Sequence, residues 1–119
     1  MVLEFVKEQM DDLGVPYRFW EWAGEVPQTY FVGEFTEASV TSEDGHVEGE
    51  FTLSGFTRGT YADLDGMRDK IYRRFRNGTR TFGDGRGLVV EYSHATTVDT
   101  DLEGVRRIDI YLSTFEWSE

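Results

Sequence analysis

The sequence has no cysteine, and it has only two prolines and two histidines among its 119 residues. Without cysteine the chain forms neither disulfide bonds nor thiolate metal sites, a composition that suits a reducing compartment. No segment approaches the roughly twenty apolar residues that a membrane-spanning helix needs. The first residues include Glu4 and Glu8 and lack the basic and apolar regions of a secretion signal. We therefore expect synthesis in the cytoplasm and no membrane partner.

Residues that usually carry chemistry are few and scattered. His46 and His94 are far apart in the sequence and share no ligand spacing, so we expect no metal site built on both. Residues 99–104 imitate the start of a calcium-binding loop, but Ile110 stands where that loop needs a bidentate glutamate. No serine lies in a nucleophile-elbow context. The sequence therefore predicts that the protein is not an enzyme and has no catalytic residues, cofactor or metal.

The chain is rich in apolar and aromatic side chains. Of its residues, 39% are hydrophobic and 15% are aromatic, which is typical of a globular protein. A chain of this length forms one domain and buries roughly two-thirds of its unfolded surface. We therefore predict a single domain over residues 1–119.

Two segments show the periodicity of amphipathic helices. The first ends at Gly14, a helix stop that is followed by Pro16. The second begins near Thr60, which forms a capping-box pattern with Asp63, and it stops at residues 77–78. The predicted apolar stripes comprise Leu3, Val6, Met10 and Leu13 in the first helix, and Leu64, Met67, Ile71 and Phe75 in the second.

The other segments favour strands. A turn signal at Asp44 and Gly45 makes residues 30–57 a long β-hairpin with an acidic tip, and a glycine-rich turn follows at residues 83–87. The predicted strands comprise residues 17–22, 30–40, 51–57, 79–82, 88–92 and a last strand through Ile108, Ile110 and Leu112. The order of helix, three strands, helix and three strands predicts an α+β fold. Its sheet is mostly antiparallel and is flanked by two helices.

The net charge of −11 is unevenly distributed. Residues 1–50 have a balance of −10, whereas residues 51–119 have a balance of −1 and contain a basic run over residues 68–86. The overall acidity argues against sequence-specific nucleic-acid binding. The separation of charge favours contacts between unlike surfaces of neighbouring copies.

Aromatic residues cluster near the ends of the predicted strands. A strand that is buried on one face leaves several of them exposed, and exposed aromatic residues mark protein interfaces more often than catalytic sites. Together with the hairpin tip and the basic helix, they form a candidate interface with a copy or a partner. Its members are Trp20, Trp22, Phe31, Glu43, Asp44, His46, Arg73, Arg74, Arg76 and Trp117.

Several short motifs follow one another along the chain, at residues 15–17, 21–22, 30–34, 43–45 and 55–59. Together they resemble small proteins encoded in the structural gene clusters of siphophages and prophages of Gram-positive bacteria. The group is that of tail terminator, tail-completion or head–tail joining proteins. The resemblance covers roughly the middle half of the chain.

The resemblance implies a structural virion protein without enzymatic activity, which forms a hexameric ring between the tail tube and the head connector. The implied partners are further copies of the chain, tail tube proteins and head-connector proteins. The implied location is the host cytoplasm during synthesis and the virion tail after assembly. The motif glycines are expected at structural turns; they are Gly33, Gly45, Gly55 and Gly59.

Two other interpretations stay open. The acidity also fits an inhibitor that mimics DNA, or another protein-binding module, although the basic run over residues 68–86 reduces the negative charge that a DNA mimic needs. The aromatic residues also fit a small-ligand enzyme on a curved-sheet scaffold, although no acid–base constellation supports it.

Overall fold

The computed structural model of the chain describes residues 1–38 and 46–118. Six strands form one sheet in the order β1-β2-β3-β6-β5-β4. All neighbouring strands are antiparallel except β1 and β2, which are parallel. The predicted α+β class and element order are confirmed. The elements are α1 (Val2–Leu13), β1 (Tyr17–Phe19), β2 (Thr29–Glu37), β3 (Val47–Thr57), α2 (Tyr61–Phe75), β4 (Thr79–Gly83), β5 (Arg86–Val98) and β6 (Arg106–Ser118).

Both predicted hairpins are present. Strands β2 and β3 pair antiparallel along the whole of β2, while the predicted tip at residues 43–45 lies outside the described residues. Strands β4 and β5 are joined by Asp84 and Gly85, whose φ angles are 54° and 72°. Two consecutive positive φ angles are what a two-residue type I′ turn requires, and Asp-Gly is among its preferred sequences.

Several strand boundaries differ from the prediction, and β3 begins at Val47 instead of residue 51. Strand β1 ends at Phe19 instead of residue 22, because Trp20 has a φ of 71° and leaves the β region. Strand β5 continues to Val98, well beyond the predicted end at Tyr92. A register shift between Tyr92 and His94 interrupts its pairing with β6, and the strand resumes after this bulge.

Helix α1 ends as predicted, but its buried stripe is rotated. Gly14 is left-handed, with a φ of 71°, and its N–H donates to the Asp11 carbonyl oxygen at 3.1 Å. The larger Phe5 is buried in place of Leu3, which is exposed, and Leu13 is only partly buried. A stripe through Phe5 removes more apolar area from water, which explains the rotation. The buried residues of α1 are Val2, Phe5, Val6 and Met10.

Helix α2 follows its prediction closely. The Thr60 N–H donates to Asp63 Oδ2 at 3.0 Å, which satisfies one of the free donors at the start of the helix. Leu64, Ile71 and Phe75 are fully buried. This helix therefore contributes three anchors to the core.

Both helices pack against the same face of the sheet, which we call the inner face. Helix α1 contacts β1, and α2 contacts β3, β5 and β6. Glu4 of α1 lines one cavity with Thr81 of β4 and another with Tyr17 of β1, so the sheet curls around α1. No helix of the described residues packs against the opposite face, and we call it the open face. Fully buried side chains from the sheet that form the core are Phe31, Phe51, Leu53, Leu88, Val90, Ile110 and Leu112.

Two of the motif glycines do not form turns. Gly33 and Gly55 lie inside β2 and β3, where a Cβ would be 2.5 Å from the Tyr17 hydroxyl and 2.6 Å from Phe31 Cζ, respectively. The expectation of turns there was therefore wrong. These glycines make space for aromatic rings, a recognised use of glycine in strands.

The hydroxyl of Tyr17 is the exception to good polar pairing in the core. It is buried against Gly33 and has no hydrogen-bond partner within residues 1–38 and 46–118. An unpaired buried hydroxyl costs about 1–3 kcal/mol of stability. Burial also raises the pKa of Tyr17 above its ordinary value of 10.0.

Replacing Tyr17 with Phe is therefore expected to raise the free energy of unfolding by about 1 kcal/mol at neutral pH. Above pH 10.0 the unfolded chain releases the Tyr17 proton while the folded chain keeps it, so this residue lowers wild-type stability as the pH rises. Tyr17→Phe has no hydroxyl to titrate, so it does not show this fall in stability. Urea unfolding of both proteins below and above this pH measures the effect. A variant that is less stable at both pH values would contradict it.

Candidate protein-binding surface

A row of aromatic and arginine side chains crosses the open face. Tyr30 of β2, Phe56 of β3 and Arg107 of β6 are directly opposite one another in the strand register. The Tyr30 and Phe56 rings stack with centroids 5.4 Å apart, and the Arg107 guanidinium carbon lies 5.4 Å from the Phe56 centroid. These distances allow ring stacking and a cation–π contact, each worth about 0.5–1.5 kcal/mol.

The row continues beyond the edge of β2. The Trp22 ring lies 5.6 Å from that of Tyr30, and the Arg18 guanidinium carbon lies 5.1 Å from the Trp22 centroid. The Trp22 indole N–H donates to the Glu25 carbonyl oxygen at 3.1 Å. The ring contact with Tyr30 and the hydrogen bond to Glu25 thus hold Trp22 beside the sheet. The arginine–aromatic row comprises Arg18, Trp22, Tyr30, Phe56 and Arg107.

Arg107 also neutralises a buried acid. Its Nε and Nη2 donate to the two carboxylate oxygens of Asp109 at 3.0 and 3.1 Å. The side chain of Asp109 is only 10% exposed, whereas that of Arg107 is 34% exposed. A bidentate pair of this kind satisfies both carboxylate oxygens where water has little access.

The other half of the open face is acidic, and we call it the acidic half. Glu50 and Glu91 both lie opposite Ser113, and Glu48 lies opposite Phe115. One base, Arg80, lies at its margin opposite Val89. The four exposed glutamates form no ion pair within the part of the chain that the structure describes. They are Glu34, Glu48, Glu50 and Glu91.

A cavity of about 370 Å³ opens within the acidic half, and carboxylate and aromatic residues line it together. Glu48, Glu91, Ser113 and Phe115 are among its lining residues. The ring of Phe115 is stacked against the His46 ring at 4.7 Å and lies 5.9 Å from that of Trp117. The cavity therefore combines negative charge with the flank of an aromatic cluster.

An exposed indole marks the β1 edge of the sheet. Trp20 is 67% exposed and has a positive φ, which is uncommon for residues other than glycine. The Glu21 N–H donates to the Phe19 carbonyl oxygen at 2.8 Å, and the Trp20 N–H donates to the Gly33 carbonyl oxygen at 2.7 Å. This pattern is a γ-turn with positive φ, a rare and strained conformation.

A second cavity lies beside this turn. It has a volume of about 250 Å³, and its lining includes Leu3, Tyr17 and Phe19. Leu3 and Phe19 are exposed. Leu3 and Phe19 line this cavity, and Trp20 follows Phe19 directly in the chain. We call these three exposed apolar residues at the β1 edge the Trp20 patch.

The structure separates the predicted interface residues into groups. Phe31 is fully buried in the core, so its prediction as an interface residue was wrong: it lies on the inner face, where an aromatic ring gains most from burial. Trp20, Trp22, His46 and Trp117 are exposed or partly buried, whereas Glu43 and Asp44 lie outside the described residues.

The three predicted arginines of α2 have different roles. Arg74 donates to Gln9 Oε1 and, at 2.6 Å, to Asp12 Oδ2, so it links α2 to α1 inside the molecule. Arg73 pairs with Asp69 of its own helix at 3.0 Å. Arg76 is exposed and forms no ion pair within the described ranges.

Sequence reasoning missed Phe56 and Arg107 as surface residues that act together. Their only signal was the alternation of side chains in each strand, which becomes informative once the β3–β6 register is known. Within residues 1–38 and 46–118, no group of three or more His, Cys, Asp or Glu side chains is placed to hold a metal ion. In the same ranges, no helix is long and apolar enough to cross a membrane.

No protein-family model matches the sequence, and a search of curated proteins also gives no match.

Proposed function

We propose that this protein is a structural subunit that binds other proteins and forms a ring at the junction between the tail tube and the head connector of a phage or prophage. The observation that carries the binding function is the Trp20 patch. Backbone strain is kept where the surrounding structure requires it, and it clusters at functional sites. Here a strained turn holds the largest exposed aromatic side chain in water. The free energy gained when a partner covers the indole would offset the cost of that strain.

The chemistry of the patch fits a protein partner. Tryptophan is the residue type most enriched at the energetic centres of protein interfaces. Phe19, which precedes Trp20 in the chain, and Leu3, which lines a cavity with Phe19, give a partner two further exposed apolar side chains at this edge. The phage-tail part of the proposal is supported by the sequence motifs at residues 15–17, 21–22, 30–34, 43–45 and 55–59.

Genetic complementation tests this function. In a strain that carries the gene and releases phage particles, deletion of the gene is expected to abolish infectious particles and wild-type protein is expected to restore them. Trp20→Ala is expected to restore about tenfold fewer, the factor that corresponds to about 1.4 kcal/mol of lost binding. The measurement is the titre of infectious particles, with electron microscopy of the tails.

Phe82→Ala is the matched control, because Phe82 is also exposed but lies on β4, outside the Trp20 patch. It should complement like the wild type. Normal particle production after gene deletion would overturn the proposed function. Equal titres with Trp20→Ala and the wild type would show that this function does not need the Trp20 patch.

A DNA-mimicking inhibitor is the second candidate, and the acidic half of the open face is the observation that favours it. Glu48 and Glu50 alternate along β3, so both point to the same side of the sheet. Repeated carboxylates on one face are what a phosphate mimic requires. The aromatic rings of Phe115 and Trp117 and the exposed basic residues of α2, which are Lys70, Arg73 and Arg76, fit protein contacts better.

A further inference from the structure

Helix α2 presents positive charge on the side that faces away from the sheet. Its apolar anchors point to the inner face, and Lys70, Arg73 and Arg76 are exposed. Arg73 is compensated by Asp69, whereas Lys70 and Arg76 have no ion-pair partner within residues 1–38 and 46–118. We call Lys70, Arg73 and Arg76 the basic surface of α2.

The acidic half of the open face lies on the other side of the same sheet. Among the residues that the structure describes, its four glutamates outnumber its one base, Arg80. Carboxylates that stand on neighbouring strands repel one another, so an added cation is favourable there. The two surfaces are thus opposite in charge, and the sheet separates them, so one copy cannot bring them together.

The cavity in the acidic half has the chemistry that a guanidinium group needs. Glu48 and Glu91 supply carboxylate acceptors, Ser113 supplies a hydroxyl, and Phe115 supplies an aromatic ring. Arginine pairs with carboxylates through its fork of N–H donors and also stacks on rings. A volume of about 370 Å³ is enough for the end of one arginine side chain, with room for water.

We propose that the acidic half of the open face of one copy binds the basic surface of α2 of a second copy, with the Arg76 side chain in the cavity beside Phe115. The two contacting patches are different, so the contact is head-to-tail. Repetition of such a contact gives a ring or a filament instead of a closed dimer. This inference rests on the self-association that the proposed function includes, and it names the two surfaces that meet.

Cross-linking tests the contact directly, because the chain has no cysteine of its own. Asn77→Cys places a thiol beside Arg76, and Ser113→Cys places one at the cavity; both positions are exposed. The two purified variants are mixed and treated with a short bis-maleimide. We expect covalent dimers containing one copy of each variant at several times the yield of a control mixture. The control pairs Asn77→Cys with Leu102→Cys, an exposed position in the loop between β5 and β6.

Charge exchange supplies the second arm. Arg76→Glu and Glu91→Arg, each introduced into both cysteine variants, are expected to lower the cross-linking yield about tenfold. Both changes together should restore the yield, because each copy then offers the reversed charges at both surfaces. Glu103→Arg, an exposed acid in the loop that also holds Leu102, should have no effect.

The outcomes separate the two proposals. If sedimentation shows association of the wild type but the Asn77→Cys and Ser113→Cys mixture yields no more covalent dimer than the control mixture, the named interface is wrong and self-association stands. If no association and no specific cross-link are found at any concentration, the interface and the ring are both wrong. The complementation experiment then still decides whether the protein acts in a phage particle.

Discussion

Replacing Gly55 with Ala is expected to lower the free energy of unfolding by about 3 kcal/mol, because the added methyl group has no space. A Cβ at this position would lie 2.6 Å from Cζ of Phe31 and closer still to Cε2 of the same ring. Phe31 is fully buried in the core, so its ring cannot move into solvent. Small domains are stable by only about 5–15 kcal/mol, so the loss is a large fraction of the total.

The matched control is the same substitution at Gly66, in the exposed part of α2. Apart from the neighbouring backbone of the helix itself, no heavy atom lies within 4 Å of a Cβ there, and alanine is favoured over glycine inside a helix by about 1 kcal/mol. Gly66→Ala is therefore expected to raise stability. Urea unfolding of both variants gives the two values. A change of the same sign and size in both would contradict the packing argument at Gly55.

Replacing Arg107 with Met is expected to lower the free energy of unfolding by about 2 kcal/mol, because it leaves the Asp109 carboxylate buried without its cation. Methionine keeps most of the apolar stem that packs beside Phe56. The lost interactions are the two hydrogen bonds to Asp109 at 3.0 and 3.1 Å and the cation–π contact. Chemical unfolding measures the change.

The double variant Arg107→Met with Asp109→Leu is the control. It removes both charges, and replacement of a buried pair by apolar residues is often neutral. We expect it to recover most of the stability that Arg107→Met loses. If the double variant is as unstable as Arg107→Met alone, the unpaired Asp109 carboxylate is not the cause of the lost stability. Asp109→Leu alone should cost less than Arg107→Met alone, because Arg107 is 34% exposed and keeps access to water.

The elements that could be predicted from the sequence are those that local interactions determine. The stop at Gly14, the cap formed by Thr60 and Asp63, and the turn at Asp84 and Gly85 each depend on a few neighbouring residues. Side-chain alternation also placed Ile108, Ile110 and Leu112 on one buried face. Such signals are readable without knowledge of which strands pair.

The open face could not be predicted in the same way. The arginine–aromatic row exists because β3 lies beside β6, so that Phe56 meets Arg107 across a long sequence separation. The burial of Phe31 and the early end of β1 at Trp20 likewise depend on tertiary packing. Aromatic residues in a strand do not indicate by themselves which face is covered, and for Phe31 this led to the wrong assignment.

The central position of the β3–β6 pair has a consequence for the folding rate. Its register joins Val47 to Glu116 and Thr57 to Arg106, so α2, β4 and β5 all lie in the loop that this pairing closes. The entropy of closing that loop is lost before the pair gains its hydrogen bonds, and folding slows as the sequence separation of contacts increases. The β2–β3 hairpin and the β4–β5–β6 meander are local and can form early. Their joining through the β3–β6 pair is the slow event, and until it occurs the edges of β3 and β6 are unpaired and able to bind other chains.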